Sequence, residues 1–190
     1  MIGFGDELKP NAKDAITALH RMHIRTVMLS GDNTAAANRV GQSLAIDQVF
    51  GQIMPGDKAH IIRTLQQSGN DHAHQYVAMV GDGVNDAPAL ATADVGMAMS
   101  TGTDVAMQAA GITLMRGDPT LVADAIDISK RTWQKIQQNL FWAFAFNSTG
   151  IPLAALGFLS PMLAGSAMAL SSFCVLSNAL LLKRWRPSRR

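Results

Sequence analysis

Three shortages in the sequence narrow what the protein can be. Cys174 is the only cysteine, which excludes an intrachain disulfide and gives no sign of an oxidising compartment. The formal net charge is only +2, so there is no bulk electrostatic reason to expect nucleic acid as a partner. Charged residues and histidine are absent from Ile136 to Leu182, and this absence excludes a uniformly soluble protein.

The uncharged stretch is long enough to cross a bilayer twice. A hydrocarbon core of about 30 Å needs about 20 apolar residues, and Ser160-Pro161 divides the stretch into candidate spans at 139–159 and 162–182. Basic residues, among them Lys135, precede the spans, and a basic tail at 183–190 follows them, which predicts that both ends are cytoplasmic. We expect a multi-pass transmembrane hairpin over 139–182, in contact with lipid of the cytoplasmic (inner) membrane. The alternative is a buried hairpin in a soluble protein.

A few polar or soft side chains lie inside these spans. Asn147 lies in the first span, and Met168 and Ser172 lie one helical turn apart in the second. Because thioethers select Cu(I) over hard ions, the three could line a path for a soft monovalent cation. Ordinary packing between membrane helices, which also uses small and hydroxyl residues, explains the same side chains and is the simpler explanation from chemistry alone.

The polar part of the chain alternates helix and strand patterns. Strand-helix alternation predicts an α/β domain at 1–118 with a mainly parallel sheet, followed by a linking helix at 119–138. In such sheets the chemistry gathers at the carboxyl ends of the strands. The strand at 76–80 is expected to be buried. The predicted helices are 11–22, 34–45 and 56–67, and the predicted strands are 26–29, 76–80, 95–99 and 112–115.

Two Gly-Asp turns and one lysine supply groups suited to a phosphate. Gly81 to Asp86 follows a predicted strand and offers two carboxylates four residues apart, which suits Mg²⁺ beside a phosphate. Ser30-Gly31-Asp32 ends another strand and begins a helix, where backbone N–H groups and a hydroxyl attract anions. Lys58 lies in the first turn of a third helix and can contact a phosphoryl oxygen. Each feature alone is more simply an ordinary turn or a solvated lysine.

The combination resembles the P-type ATPases over essentially the whole chain. GDGVNDAPALATADVGMAM at 81–99 resembles their hinge motif, PGDK at 55–58 resembles their short proline-to-lysine motif, and SGDN at 30–33 resembles their TGD motif with serine in place of threonine. The resemblance implies part of a haloacid-dehalogenase-like, Rossmann-type phosphorylation domain that uses Mg²⁺ and ATP. It implies these roles: Ser30, Gly31, Asp32 and Lys58 are catalytic and hold the aspartyl phosphate, Asp82 and Asp86 bind Mg²⁺, and Gly81, Gly83 and Asn85 support the hinge and the phosphate.

The apolar part resembles the last two helices of copper- and silver-exporting pumps. AFN followed by GIP at 145–152, and MALSS at 168–172, carry this resemblance. It implies that Asn147, Met168 and Ser172 contact the transported Cu⁺ or Ag⁺. Phe146 stands where these pumps usually have tyrosine. Zinc and cadmium pumps usually carry charged residues in these helices, and none occurs here, although a pump for zinc or cadmium remains an alternative.

The family's Asp-Lys-Thr-Gly nucleophile segment and its Cys-Pro-Cys segment do not occur in residues 1–190. By the resemblance, the nucleophile strand lies in the middle of the sheet, so we expect the strands that end near Asp32 and Asp82 to have unpaired edges. We expect the isolated chain neither to hydrolyse ATP nor to pump, and its partner to be the remainder of a pump or an intact pump. The alternatives are a non-catalytic truncated fragment and a membrane-anchored phosphatase, which would need an Asp-x-Asp that the sequence lacks.

Overall fold

The computed structural model describes residues 8–9, 11–69, 73–158 and 160–186. Residues 187–190 of the predicted basic tail therefore lie outside the described residues. The chain divides into two compact units, one at 1–123 and the other at 124–190. The first unit is an α/β domain and the second is helical, in the order that the change of composition along the chain predicts.

The first unit contains two separate parallel sheets among its described residues. Strands β1 (Val27–Leu29) and β2 (Gln48–Phe50) pair in parallel, with Met28 opposite Val49. The other sheet has the order β3-β4-β5, from Ala78–Gly81, Val95–Met99 and Ile112–Leu114. Because β1 pairs only with β2 and β3 only with β4 in the described part of the chain, each has one unpaired edge, as the sequence led us to expect.

Among the described residues, four α-helices connect these strands and a fifth precedes β1. Asn33 begins α2 because its side-chain oxygen accepts a hydrogen bond from the Ala36 N–H at 2.8 Å. Pro55 begins α3 at the first helical position, where its missing N–H costs nothing. The helices are α1 (Ala12–Arg21), α2 (Thr34–Leu44), α3 (Pro55–Gln66), α4 (Ala87–Thr92) and α5 (Asp104–Ala109), with a 3₁₀ turn at Val84–Asp86.

The expectation of a buried strand at 76–80 is wrong in two respects. The strand begins at Ala78 rather than at Tyr76, whose side chain is 85% exposed. Val80 is also exposed, because β3 is the edge of its sheet. The buried strand is its neighbour β4, and the core of this sheet gathers Leu90, Ala98 and Ala106. Apolar composition therefore identified the strand but not its position in the sheet.

Aspartates hold the amino ends of the paired strands together. Asp47, just before β2, accepts hydrogen bonds from the N–H of Thr26 at 2.7 Å and from its hydroxyl at 2.9 Å. These bonds, with a contact from His20, lower the pKa of Asp47. Asp94, just before β4, accepts a bond from the Val77 N–H at 2.9 Å and further bonds from the side chains of the loop and of α3. The amino ends of both sheets are thus fixed on the side opposite the Gly-Asp turns.

The second unit consists mainly of two long helices. Helix α6 runs without interruption from Thr120 to Ala155, with Pro152 inside it, so the predicted linking helix and first span are one helix. Helix α7 (Pro161–Leu180) begins at Ser160, whose hydroxyl accepts from the Leu163 N–H, and it continues into a 3₁₀ turn at Leu181–Arg184. The helices are antiparallel, because Asp127 contacts Trp185 while Asn139, farther along α6, contacts Asn178.

Within the described residues, one helical segment, Met162–Arg184, is long and apolar enough to cross a membrane. The predicted first span does not reach the same hydropathy, because Asn139, Asn147, Ser148, Thr149 and Pro152 dilute its apolar residues. Two antiparallel helices are therefore present, hydropathy supports one membrane span among the described residues, and the transmembrane hairpin stays a prediction.

Candidate phosphoryl-transfer site

The first turn of the site follows β1. The Ser30 hydroxyl donates a hydrogen bond to Asp32 Oδ2 at 2.9 Å and accepts one from the Asp32 N–H at 3.1 Å. The Ser30 backbone is fixed on both sides, since its N–H donates to the Phe50 carbonyl at 2.9 Å and its carbonyl accepts from the Ile53 N–H at 3.0 Å. Ser30 is therefore held at the carboxyl edge of the β1-β2 sheet, next to the residues that lead into α3.

The second turn follows β3 and is joined to α3 by an ion pair. Lys58 Nζ donates to Asp86 Oδ1 at 2.7 Å, and the two side chains are only 15% and 13% exposed. The other carboxylate oxygen of Asp86 accepts from the Gly83 N–H at 3.4 Å. A Cβ at Gly81 would lie 2.8 Å from the Asp86 Cβ, so glycine is required there for Asp86 to fold back against the strand end. Asp86 therefore fixes the conformation of the Gly81–Asp86 turn and keeps the Lys58 ammonium beside it.

Asp82 differs from Asp86 in its exposure and its contacts. Its carboxylate is exposed, and Oδ2 lies 3.3 Å from Lys9 Nζ. Its backbone is fixed from the other side, because its carbonyl accepts from the Thr103 N–H at 2.9 Å. Gly102 packs so closely that a Cβ there would lie 2.2 Å from the Asp82 carbonyl oxygen. The backbone of Asp82 is thus rigidly placed while its carboxylate faces outward.

These contacts connect the predicted site residues to different degrees. Lys58 touches the Gly81–Asp86 turn directly, and Ser30 is linked to the start of α3 through the Ile53 backbone. The Ser30 hydroxyl forms its hydrogen bonds with Asp32, so its approach to Lys58 or Asp82 stays a prediction. Gly31, Asp32 and Asn85 are exposed at the same strand ends. The structure therefore joins α3 directly to the second turn, whereas the first turn contacts the backbone of Ile53, two residues before α3.

The residues present fit a Mg²⁺ ion because Asp82 offers it an exposed carboxylate. Across the described residues there is no cluster of three or more His, Cys, Asp or Glu side chains that could hold a metal by themselves. Mg²⁺ needs no such cluster, because it usually keeps several waters and binds one or two carboxylates together with phosphate oxygens. Asp82 is the exposed carboxylate suited to this, whereas both oxygens of Asp86 already accept hydrogen bonds from Lys58 and Gly83. The role of Asp86 as a Mg²⁺ ligand stays a prediction.

The predicted transport residues lie on the two long helices. Asn147 is on α6, and Met168 and Ser172 are on α7. All three side chains are exposed, with Met168 at 73%. Their joint binding of a metal ion stays a prediction that depends on how α6 and α7 are aligned.

Sequence patterns did not indicate Lys9, Gly102 or Thr103, although all three contact Asp82. Lys9 is separated from Asp82 by 73 residues, and a lone lysine before a helix gives no signal of such a contact. Thr103 was detectable only as a helix cap, because its side chain accepts from the Ala106 N–H at the start of α5.

Comparisons with known proteins agree with this geometry. The family model for haloacid dehalogenase-like hydrolases matches residues 1–94. A copper-exporting P-type ATPase of Staphylococcus haemolyticus (strain JCSC1435) is 54% identical over 98% of this chain, and one of Staphylococcus aureus (strain bovine RF122 / ET3-1) is equally similar. The chain spans 23% of the length of these curated relatives.

Solved structures with the same fold include whole pumps and a catalytic domain. A zinc-transporting PIB-type ATPase in its E2.Pi state superposes with a TM-score of 0.84 and 34% identity, over 94% of this chain and 28% of that one. The catalytic domain of the CPx-ATPase CopB-B superposes with a TM-score of 0.57 and 37% identity, over 64% of this chain and 46% of that one. The first similarity extends across both the α/β unit and most of the helical unit.

Proposed function

Because this chain belongs to the P-type ATPases, within the haloacid dehalogenase-like hydrolases, we propose that it is a C-terminal portion of a Cu(I) export pump. Its α/β unit supplies one side of a phosphoryl-transfer site, and its helices supply part of the metal path across the cytoplasmic membrane. Identity of 54% to copper exporters, against 34% to the zinc transporter, supports copper over zinc. Ag⁺ has the same charge and softness and is proposed as a second substrate.

The observation that carries this proposal is the ion pair between Lys58 and Asp86. It places the ammonium of α3 beside the Gly81–Asp86 turn, where Asp82 presents an exposed carboxylate. Phosphoryl transfer depends on positioning and on neutralising the charge of the phosphoryl oxygens. Lys58 and the Ser30 hydroxyl would hold those oxygens, and Asp82 would hold the Mg²⁺ that neutralises them. The phosphate acceptor is an aspartate that residues 1–190 do not contain.

The two unpaired strand edges agree with a site in which this chain holds the phosphate and Mg²⁺ while another segment carries the phosphorylated aspartate. Strands β1 and β3 both end at a Gly-Asp turn, and each has a free edge within the described residues. A strand that carries the phosphorylated aspartate would place that residue between Ser30 and Asp82. The isolated chain, whose sequence lacks the Asp-Lys-Thr-Gly segment, is expected to show no ATP hydrolysis.

Membrane insertion is part of the same proposal. Helices α6 and α7 are antiparallel, and Lys135 on α6 and Lys183 just after α7 flank the two ends of the uncharged stretch. Basic residues at both ends indicate that both ends are cytoplasmic. The apolar surface of the hairpin would contact lipid and the other membrane helices of the pump.

The test uses a full-length copper exporter in which this chain replaces the corresponding segment. In membrane vesicles we expect ATP hydrolysis stimulated by Cu(I) and not by Zn²⁺. Lys58→Ala should abolish turnover together with phosphorylation from inorganic phosphate, whereas Asn147→Ala should lose Cu(I) stimulation and retain that phosphorylation. Stimulation by Zn²⁺ alone would contradict the copper assignment, and undiminished turnover of Lys58→Ala would contradict the phosphoryl-transfer site.

A further inference from the structure

A chain of hydrogen bonds joins α6 and α7 near the start of the uncharged stretch. Lys135 Nζ donates to Asn178 Oδ1 at 2.6 Å, and Asn178 Nδ2 donates to Asn139 Oδ1 at 2.8 Å. Lys135 also donates to Gln138 at 3.3 Å on its own helix. Lys135, Asn139 and Asn178 are partly buried, whereas much of the surrounding helix surface is exposed. We call these three residues the interhelical clamp.

The interhelical clamp lies at the boundary between the charged and the uncharged parts of α6. Lys135 is the last charged residue before the uncharged stretch, and Asn139 lies one turn farther along α6. Lipid offers no hydrogen-bond partner, so inside a membrane the side-chain amides of Asn139 and Asn178 would depend on partners within the protein. Asn178 uses both ends of its amide, as acceptor from Lys135 and as donor to Asn139. A sliding of one helix past the other would break both bonds together.

The clamp therefore fixes the alignment of the hairpin farther into the membrane. Both helices advance about 1.5 Å per residue, and the contact between Asn139 and Asn178 sets their antiparallel register. Counting equal steps from that contact, Asn147 on α6 is level with Leu170 on α7. Leu170 is midway between Met168 and Ser172. The register thus places Asn147 between the levels of the other two proposed copper contacts, about 3 Å along the axis from each.

We propose that Asn178 is a positioning residue for Cu(I) transport, which holds α6 and α7 in the register that aligns Asn147 with Met168 and Ser172. This inference rests on the proposed function, because it assigns no role to the clamp unless those three residues contact the metal. Asn178 itself does not touch the transported ion. Groups that hydrogen-bond directly to metal ligands change affinity or activity about 10- to 100-fold when they are lost, and Asn178, which acts at a greater distance, is expected at the lower end of that range.

The register can be measured directly with the native cysteine. Cys174 lies one turn from Asn178 on α7, and Ala143 lies one turn from Asn139 on α6, so the two should face each other above the clamp. In the full-length pump that carries this chain, Ala143→Cys should be joined to Cys174 by a short thiol cross-linker, as identified from the linked peptides. Ala145→Cys is the matched control, because two residues along a helix turn the side chain about 200° away.

Loss of the clamp should reduce this cross-link several-fold. Asn178→Ala should lower the yield at Ala143→Cys, and Asn139→Leu should do the same. Asn139→Asp keeps the oxygen that accepts from Asn178 and should restore the yield. Ser166→Ala is the control on α7, since the Ser166 hydroxyl donates to the Met162 carbonyl of its own helix. Equal yields with and without Asn178 would overturn the proposal.

Transport measurements separate failure of the clamp from failure of the proposed function. Asn178→Ala should raise the KM for Cu(I) about tenfold, while phosphorylation from inorganic phosphate stays at the unsubstituted level and shows that the pump is folded. If Asn147→Ala leaves Cu(I) stimulation unchanged, the proposed metal path is wrong. If Asn147→Ala abolishes stimulation while Asn178→Ala leaves the KM unchanged, the metal path stands and the positioning role is wrong.

Discussion

Replacement of Lys58 by methionine tests the contact that organises the site. The substitution keeps the length of the side chain and removes the ammonium that lies 2.7 Å from Asp86. Asp86 would then be a carboxylate that is 13% exposed and retains only the weak bond from the Gly83 N–H. An uncompensated charge in this position is costly, because water replaces the lost partner only in part.

The magnitude follows from how buried the pair is. Breaking a fully buried ion pair by removing one partner costs about 3–5 kcal/mol. Both side chains retain some exposure, at 15% and 13%, so water screens part of the charge and we expect about 2 kcal/mol. The loss should be local, since the pair joins α3 to the turn after β3. Asp86→Leu combined with Lys58→Met should recover at least about 1 kcal/mol relative to the sum of the single changes.

Amide hydrogen exchange on the full chain in detergent is the appropriate assay. Peptides that cover 55–66 and 78–86 should exchange about 30-fold faster in Lys58→Met, while peptides of α6 and α7 should be unchanged. Lys13→Met, which changes an exposed lysine on α1, is the control. If the losses of stability in Lys58→Met and Asp86→Leu are additive in the double variant, the pair does not organise the site. The same conclusion follows if Lys58→Met changes amide exchange no more than Lys13→Met does.

Two further predictions concern the aspartates at the ends of β3 and β4. Bonds from the Val77 N–H, Gln66 and His74 lower the pKa of Asp94 from 3.8 to about 2, so the stabilisation it provides is present above about pH 3.8 and is lost as the pH falls through about 2. Exchange of the Val77 amide, corrected for its intrinsic rate, should therefore become faster as the pH falls from about 3.8 to about 2. A flat profile would show that Asp94 does not hold the Val77 backbone. Gly102→Ala forces a Cβ to within 2.2 Å of the Asp82 carbonyl and should cost about 1–3 kcal/mol. Exchange of the Thr103 amide, which donates to the Asp82 carbonyl at 2.9 Å, should be faster in that variant than in Gly56→Ala, since a Cβ at Gly56 meets nothing within 4 Å.

The parts of the fold that the sequence predicted are those with a strong local pattern. The helices at 34–44 and 55–66 have clear starts at Asn33 and Pro55, the helix at 12–21 has a regular apolar spacing, and the strand at 95–99 is a short apolar run. Helices α4 and α5, of six residues each, were missed because so short a helix shows little periodicity, and strand β2 was missed because only Val49 and Phe50 of its three residues are apolar. In segments so short, periodicity cannot distinguish helix, strand and loop.

The candidate site was predictable in its chemistry and less so in its contacts. Gly81 and Asp82 were identified from a strand followed by a turn, which local sequence encodes. The pairing of Lys58 with Asp86 joins residues 28 apart, and the approach of Lys9 to Asp82 joins residues still farther apart, so neither could be derived from spacing. The exposure of β3 could not be predicted either, because strand order depends on partners that lie elsewhere in the chain or beyond it.

The most direct test of the central claim is phosphorylation of the full-length pump by inorganic phosphate, measured as a function of Mg²⁺ concentration. The claim is that Asp82 binds the Mg²⁺ that accompanies the phosphoryl group held by Lys58 and Ser30. Asp82→Asn should shift the Mg²⁺ requirement at least tenfold upward or abolish the phosphoenzyme, whereas Asp57→Asn, at an exposed position in the first turn of α3, should leave it unchanged. An unaltered Mg²⁺ dependence in Asp82→Asn would contradict the account.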